Sequence, residues 1–219
     1  MTGRAEHDRV LAAAAREVLG SIGLRRKGTS RIYLSDEGIW SCIVEFQPSA
    51  FSAGSYLNVA AHWLWTADSH ISLDYGGRVG DFLAFGDPEG FAEASRRLAL
   101  SAVPAVQQLR RTFASIRDIA HFLVKAERDQ AEQGSGGGWG AFNAAVASGL
   151  VGNAATAQAP FTNVAQGDAS QPWMRERQAE ALRLAEMTNN PGLFRATIMA
   201  RVAATRSRLK MTGEVAALS

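Results

Sequence analysis

The feature that most restricts the fold is an alternation of apolar and polar side chains between Ile39 and Trp65. Successive side chains of a strand point to opposite faces, so this pattern marks a sheet with two unlike sides. Strands are expected over residues 30–35, 39–47, 56–65 and 70–75. Asp36-Glu37-Gly38, the loop from Pro48 to Gly54, and Thr66-Ala67-Asp68-Ser69 supply the turns between them. A hairpin with Gln47 opposite Tyr56 sets Glu45 against Asn58 and Ser41 against His62. Pairing His62 next with Ser72 sets Ala60 against Asp74. This register collects Trp40, Cys42, Val44, Phe46, Leu57, Val59, Ala61, Trp63, Trp65, Ile71, Leu73 and Tyr75 on one side. A slip of one residue would scatter them over both faces, so that side is the expected core face.

Helical periodicity flanks the strands. Over residues 4–22, Val10, Leu11, Ala14, Val18 and Leu19 form one stripe, ended by Gly20 and Gly23. Asp87-Pro88-Glu89 opens a second helical pattern through Phe91, Leu98, Val106, Leu109 and Phe113, which Pro104 is expected to kink or divide. A helix over about 115–130 follows, and two more are expected over 173–189 and 192–210, joined by Asn189-Asn190-Pro191-Gly192. Strands first and helices afterwards, without βαβ alternation, give an α+β fold. The expectation is a four-stranded antiparallel sheet with helices packed on one face, plus a C-terminal helical extension. Its parts are an α+β core over 1–130, a Gly/Ala-rich uncharged linker or short helix over 131–171, and a basic helical pair over 172–219.

Composition excludes several classes. With 47% hydrophobic and 20% charged residues, the chain reads as globular rather than disordered or fibrous. Its single cysteine, Cys42, allows no internal disulfide framework and no multi-cysteine zinc site. The charges scattered through residues 1–23 do not match a signal peptide, and a reducing cytoplasm is the expected home. The uncharged stretch from Gln133 to Gly167 has an apolar part, about 139–151, too short to cross a bilayer, so no membrane partner is expected. Residues 172–219 carry eight Lys/Arg against four Asp/Glu, a local excess too modest to make nucleic acid the leading partner.

The polar sheet face holds the candidate site. It gathers Ser41, Glu45, Gln47, Asn58, His62, His70, Ser72 and Asp74 among Ile39, Ile43, Tyr56, Ala60 and Leu64. A solvent-facing side of an antiparallel sheet needs no function. A binding surface would use amide and carboxylate groups on rigid strands to recognise a polar small molecule or a protein partner. Catalysis would make His62 a general base oriented by Asp74, with Ser72 or Ser41 nearby. In the expected register Asp74 is only a diagonal neighbour of His62, and no nucleophile elbow or oxyanion-hole motif accompanies them. A metal site of His62, His70 and Asp74 has no recognised ligand spacing. The Gly-rich run at 134–140 lacks the Lys-Ser/Thr of a P-loop and reads as a hinge. Cys42 reads as a small buried hydrophobe, and the five tryptophans as packing anchors.

The order of residues also resembles a known family. Leu19-Gly20-Ser21-Ile22-Gly23-Leu24-Arg25-Arg26-Lys27-Gly28 leads into a strand ending in Tyr33. Gly38-Ile39-Trp40, Val44-Glu45-Phe46-Gln47-Pro48-Ser49 and Tyr56-Leu57-Asn58-Val59 follow. Over about residues 8–125 this is similar to the domain-of-unknown-function family 4304, although Leu24 stands where that family has an aromatic. The resemblance implies a small α+β domain with no established activity, and Gln47, Ser49 and Asn58 as its motif residues. The expected function is a non-catalytic binding or interaction protein, of an accessory or immunity type, using Glu45, Gln47, Asn58, His62 and Asp74 without a cofactor. The alternatives are a small hydrolase with His62 as general base and, more weakly, a protein that contacts nucleic acid through Arg25-Arg26-Lys27 and its basic C-terminal helices.

Overall fold

The computed structural model describes residues 2–66, 70–134 and 138–211, and the chain divides into two compact units. The first is built from Met1–Arg111 and the described residues 205–211; the second is Thr112–Ala204. Residues 67–69 of the turn expected at 66–69, and Gly136 and Gly137 of the expected hinge, lie outside the described residues.

The first unit opens with α1 (Thr2–Gly20), which buries Leu11, Ala14, Ala15, Val18 and Leu19. Its end is closed by the Leu24 N–H donating back to the Leu19 carbonyl at 3.0 Å, with Gly23 at φ +84° in the left-handed position that this cap requires. The sheet that follows is antiparallel throughout, but among the described residues it has six strands rather than four. They are β1 (Arg25–Arg26), β2 (Ile32–Asp36), β3 (Trp40–Pro48), β4 (Gly54–Trp63), β5 (Tyr75–Arg78) and β6 (Leu83–Ala84), in the order β1-β2-β3-β4-β5 with β6 also on β4. The two-residue strands β1 and β6 are too short to carry any periodicity.

The β3–β4 register is the expected one, with Gln47 opposite Tyr56, Glu45 opposite Asn58 and Ser41 opposite His62. Trp40, Cys42, Val44, Phe46, Leu57, Val59, Ala61 and Trp63 are all buried. Tyr33 of β2, opposite Val44, donates its hydroxyl to the Ala12 carbonyl of α1 at 3.3 Å, which fixes α1 on this face. Helix α2 (Pro88–Thr112) meets α1 through the edge contact of Phe91 on His7, and its Arg110 guanidinium donates to the Ile22 carbonyl in the turn that follows α1. It runs unbroken through Pro104; burial of Ala99, Ala102 and Val106 outweighs the missing backbone donor, a cost of about 3 kcal/mol.

The last expected strand is displaced. Residues 71–74 are irregular, and pairing resumes at Tyr75 opposite Ala61 and Gly76 opposite Ala60, two residues out of the expected register. Leu73 and Tyr75 are exposed and do not join the core, while Trp65 is buried in a single 3-10 turn, Leu64–Thr66, rather than in a strand. Gly76 explains the shift. It has φ +118°, and a Cβ there would lie 2.3 Å from the Val59 carbonyl oxygen, so only glycine lets the chain approach β4 at this point.

The second unit is helical: α3 (Ile116–Glu132), α4 (Gly138–Leu150), α5 (Ala154–Gln166), α6 (Pro172–Met187) and most of α7 (Pro191–Arg208). Ser115 and Asn153 cap α3 and α5 by accepting from the Asp118 and Thr156 N–H groups. Every residue from Ala141 to Leu150 of α4 is buried, and Gly149 lies directly under the Phe194 ring. Phe142, Phe161 and Phe194 form the centre of this unit.

Candidate functional site

The five expected site residues, Glu45, Gln47, Asn58, His62 and Asp74, fall into two separate hydrogen-bonded groups. In the first, Asn58 of β4 stands opposite Glu45 of β3. Its Nδ2 donates to Glu45 Oε2 at 2.9 Å and to Gln47 Oε1 at 3.2 Å. Gln47 Oε1 also accepts from the Arg78 guanidinium at 3.3 Å. Arg78 is brought there by β5, which places it opposite Asn58, and its guanidinium carbon lies 3.8 Å from the centroid of the Tyr56 ring. Tyr56 in turn packs on Phe82, with ring centroids 4.8 Å apart. Exposure rises steadily outward, from Asn58 at 6% through half-buried Glu45 to exposed Gln47 and Arg78. Sequence reasoning misses Arg78 and its cation–π contact. The two-residue shift of β5 is what delivers them, and the sequence signal, Gly76-Gly77-Arg78, resembles a chain break.

In the second group His62 Nδ1 lies 3.0 Å from Ser72 Oγ and 3.1 Å from Asp74 Oδ2. Asp74 Oδ2 also accepts the backbone N–H of Trp63 at 2.7 Å, while the Asp74 N–H donates to the Ala61 carbonyl at 2.9 Å. Asp74 is therefore a direct neighbour of His62 rather than a diagonal one, and its carboxylate continues the sheet ladder where β5 has ended. A hydrolytic relay needs the orienting acid on one imidazole nitrogen and the nucleophile on the other. Here the serine and the carboxylate share Nδ1, and His62 is only 1% exposed. The arrangement holds a strand end and does not set up proton transfer from Ser72.

Between the groups the face is closed: Ser41, Ile43 and Ala60 are fully buried, and Ser41 Oγ donates to the Ser35 carbonyl at 2.7 Å. At its margin Asp36 pairs with both terminal nitrogens of Arg206, which also donates to the Gly38 carbonyl at 3.0 Å. His70 is exposed. Cys42 is completely buried, and burial, helped by the Glu37 carboxylate, pushes its thiol from the ordinary 9.0 up to about 12, so it is no nucleophile at neutral pH. Arg26 is committed to the Thr29 and Ser30 carbonyls.

Among the described residues no helix is long and apolar enough to cross a membrane, and no three His, Cys, Asp or Glu side chains converge as metal ligands would. No protein-family model, curated protein or solved structure matches the chain.

Proposed function

We propose that this chain is a non-catalytic binding protein, of an accessory or immunity type, that engages a polar partner through Glu45, Gln47, Asn58 and Arg78. The observation that carries the reading is the Asn58-centred network: a buried amide fixes a carboxylate and a second amide, and the network opens to solvent at Gln47 and Arg78. Groups held in this way bind without reordering, which lowers the entropic cost of association. Arg78 commits one of the five N–H bonds of a guanidinium to Gln47, and Glu45 remains half open, so the patch suits a partner offering both an acceptor and a donor. His62 and Asp74 hold the end of β4 farther along the same face. The resemblance to family 4304 supports the reading, since two of its three motif positions, Gln47 and Asn58, lie in the network. A reducing, cytoplasmic setting suits a chain with one buried cysteine.

The test is a thermal-shift screen with polar metabolites, joined to photo-crosslinking from position 50, in the exposed loop that follows Gln47, in extracts of the source organism. A specific partner should stabilise the wild-type chain by mass action and lose that effect in Gln47→Ala and Arg78→Glu, both of which keep the unliganded melting temperature. A partner that binds those variants as well as the wild type would place recognition elsewhere. His62→Ala separates the hydrolase alternative, because it would abolish hydrolysis while leaving such binding largely intact.

A further inference from the structure

The two edges of the sheet are finished differently. At one edge β1 is two residues long and consists of Arg25 and Arg26, short and charged as a guarded edge is. At the other edge β5 reads Tyr75-Gly76-Gly77-Arg78, and among the described residues no strand pairs with its outer side. The Val79 N–H donates to the Leu57 carbonyl at 2.8 Å, and Gly77 stands opposite Val59, so residues 77 and 79 direct their backbone groups inward to β4. Alternation along an antiparallel pair then turns the N–H and C=O of Gly76 and Arg78 outward, and both residues are exposed. The one charged side chain of β5 does not guard these groups. Its guanidinium carbon lies 3.8 Å from the Tyr56 centroid and its Nη2 donates to Gln47 of β3, so Arg78 is held over the sheet and not across the edge.

The flanking side chains define what fits. Tyr75, opposite Ala61, stands on the core side of the edge at 41% exposure, with Leu73 at 40% just before it. A side chain at Gly77 would meet nothing within 4 Å, so there is room beside the tyrosine. Arg78, opposite Asn58, stands on the polar side with guanidinium N–H bonds to spare. A strand added in the antiparallel sense would place every second residue on the side of Tyr75 and the intervening ones beside Arg78. Apolar side chains suit the first set and carboxylates the second. Outward backbone groups on two residues suffice for a peptide strand, and they are too few for a stable subunit interface, which buries about 1,200 Å2 or more. We propose that β5 takes up an extended peptide segment of a partner as a further strand, one with alternating apolar and acidic side chains. The proposal rests on the sheet-face reading only in giving Arg78 a part in recognition; the open backbone edge is a separate observation.

The probe is acetylated and amidated Thr-Val-Glu-Val-Glu-Val-Thr, titrated by calorimetry into the full chain. It should bind saturably and slow hydrogen exchange at the Gly76 and Arg78 amides about tenfold or more, with little change at Gly77, whose N–H already faces β4. N-methylation of the two glutamates removes the donors that would face β5 and should abolish binding, whereas N-methylation of the valine between them should leave it nearly intact. Replacing both glutamates by lysine should weaken binding severalfold, and Arg78→Glu should reverse that preference. No saturable binding up to about 1 mM, protection confined to other amides, or equal losses from the two N-methylations would overturn the proposal. Protection of the same two amides by rising protein concentration alone would also overturn it, because the occupant would then be a second copy. The sheet-face reading is decided separately, by the thermal shift of a polar ligand in Gln47→Ala, which none of these results alters.

Discussion

Removing the Asp74 carboxylate is the sharpest probe of how β4 ends. Trp63 is fully buried, and its N–H points to the side of β4 where the backbone ladder with β5 has stopped, so Asp74 Oδ2 at 2.7 Å takes the place of a strand carbonyl. Asp74→Ala would leave that N–H without its acceptor, at a cost of about 1–3 kcal/mol, and would remove a partner from His62, adding about 1 kcal/mol. Asp74→Asn keeps a carbonyl oxygen for Trp63 and should lose about half as much. Because the chain has two compact units, a global melt is a poor readout; native-state hydrogen exchange at the Trp63 amide reports the local opening directly. Losses of about 2–4 kcal/mol correspond to exchange faster by about thirtyfold to several hundredfold at that amide. Unchanged protection in the alanine variant, or equal losses in the alanine and asparagine variants, would refute the view that the carboxylate serves as a ladder acceptor.

Gly76→Ala should destabilise the first unit by more than about 2 kcal/mol, since φ is +118° and the added carbon would meet the Val59 carbonyl at 2.3 Å, whereas Gly77→Ala, with open space around it, should stay within about 1 kcal/mol; urea titration of both variants checks the contrast. Gly149→Ala would press a methyl against the Phe194 ring at 2.5 Å and should cost the second unit about 1–3 kcal/mol in the same assay. For Cys42, the native thiol stays protonated to about 12 while the unfolded one ionises near 9.0, so stability is lost as pH rises between these two values, because the unfolded chain sheds its proton first and is favoured. Alkylation by iodoacetamide at pH values around 9 should therefore be slow in the native chain and fast in urea, and equal rates would contradict the burial argument.

What is legible in the sequence follows from how periodicity works. Eight consecutive β3–β4 pairs, from Trp40 with Trp63 to Gln47 with Tyr56, are those expected; parity forbids a one-residue slip, which would turn Phe46 and Leu57 outward with every other core residue, but it leaves a two-residue slip open. The same reasoning fails at 70–75, where Ile71, Leu73 and Tyr75 alternate as a strand would, yet the chain pairs only from Tyr75 onward. The deciding contact is non-local: the absence of a side chain at Gly76 matters only because the Val59 carbonyl lies against it. Helix α5 is hidden for a different reason. Ala154–Gln166 has no charges and contains Pro160, so neither an amphipathic stripe nor an uninterrupted run marks it. Trp139 and Trp173, both exposed, escape a reading of the sequence because a tryptophan's neighbours in the chain do not reveal whether its ring faces the core or solvent.

The two polar groups on the sheet face differ in saturation, and that difference separates support from recognition. His62, Ser72 and Asp74 direct their hydrogen bonds to one another and to the backbone of β4, and His62 is closed to solvent. Glu45, Gln47, Asn58 and Arg78 form a chain in which each inner bond is made and the outer members remain accessible. A partner meeting the second group would add bonds to groups already aligned, whereas one meeting the first would have to break a strand-ending contact before making any of its own. Across a single hairpin, then, the burial of His62 and the exposure around Gln47 assign opposite tasks to residues that strand parity alone groups together.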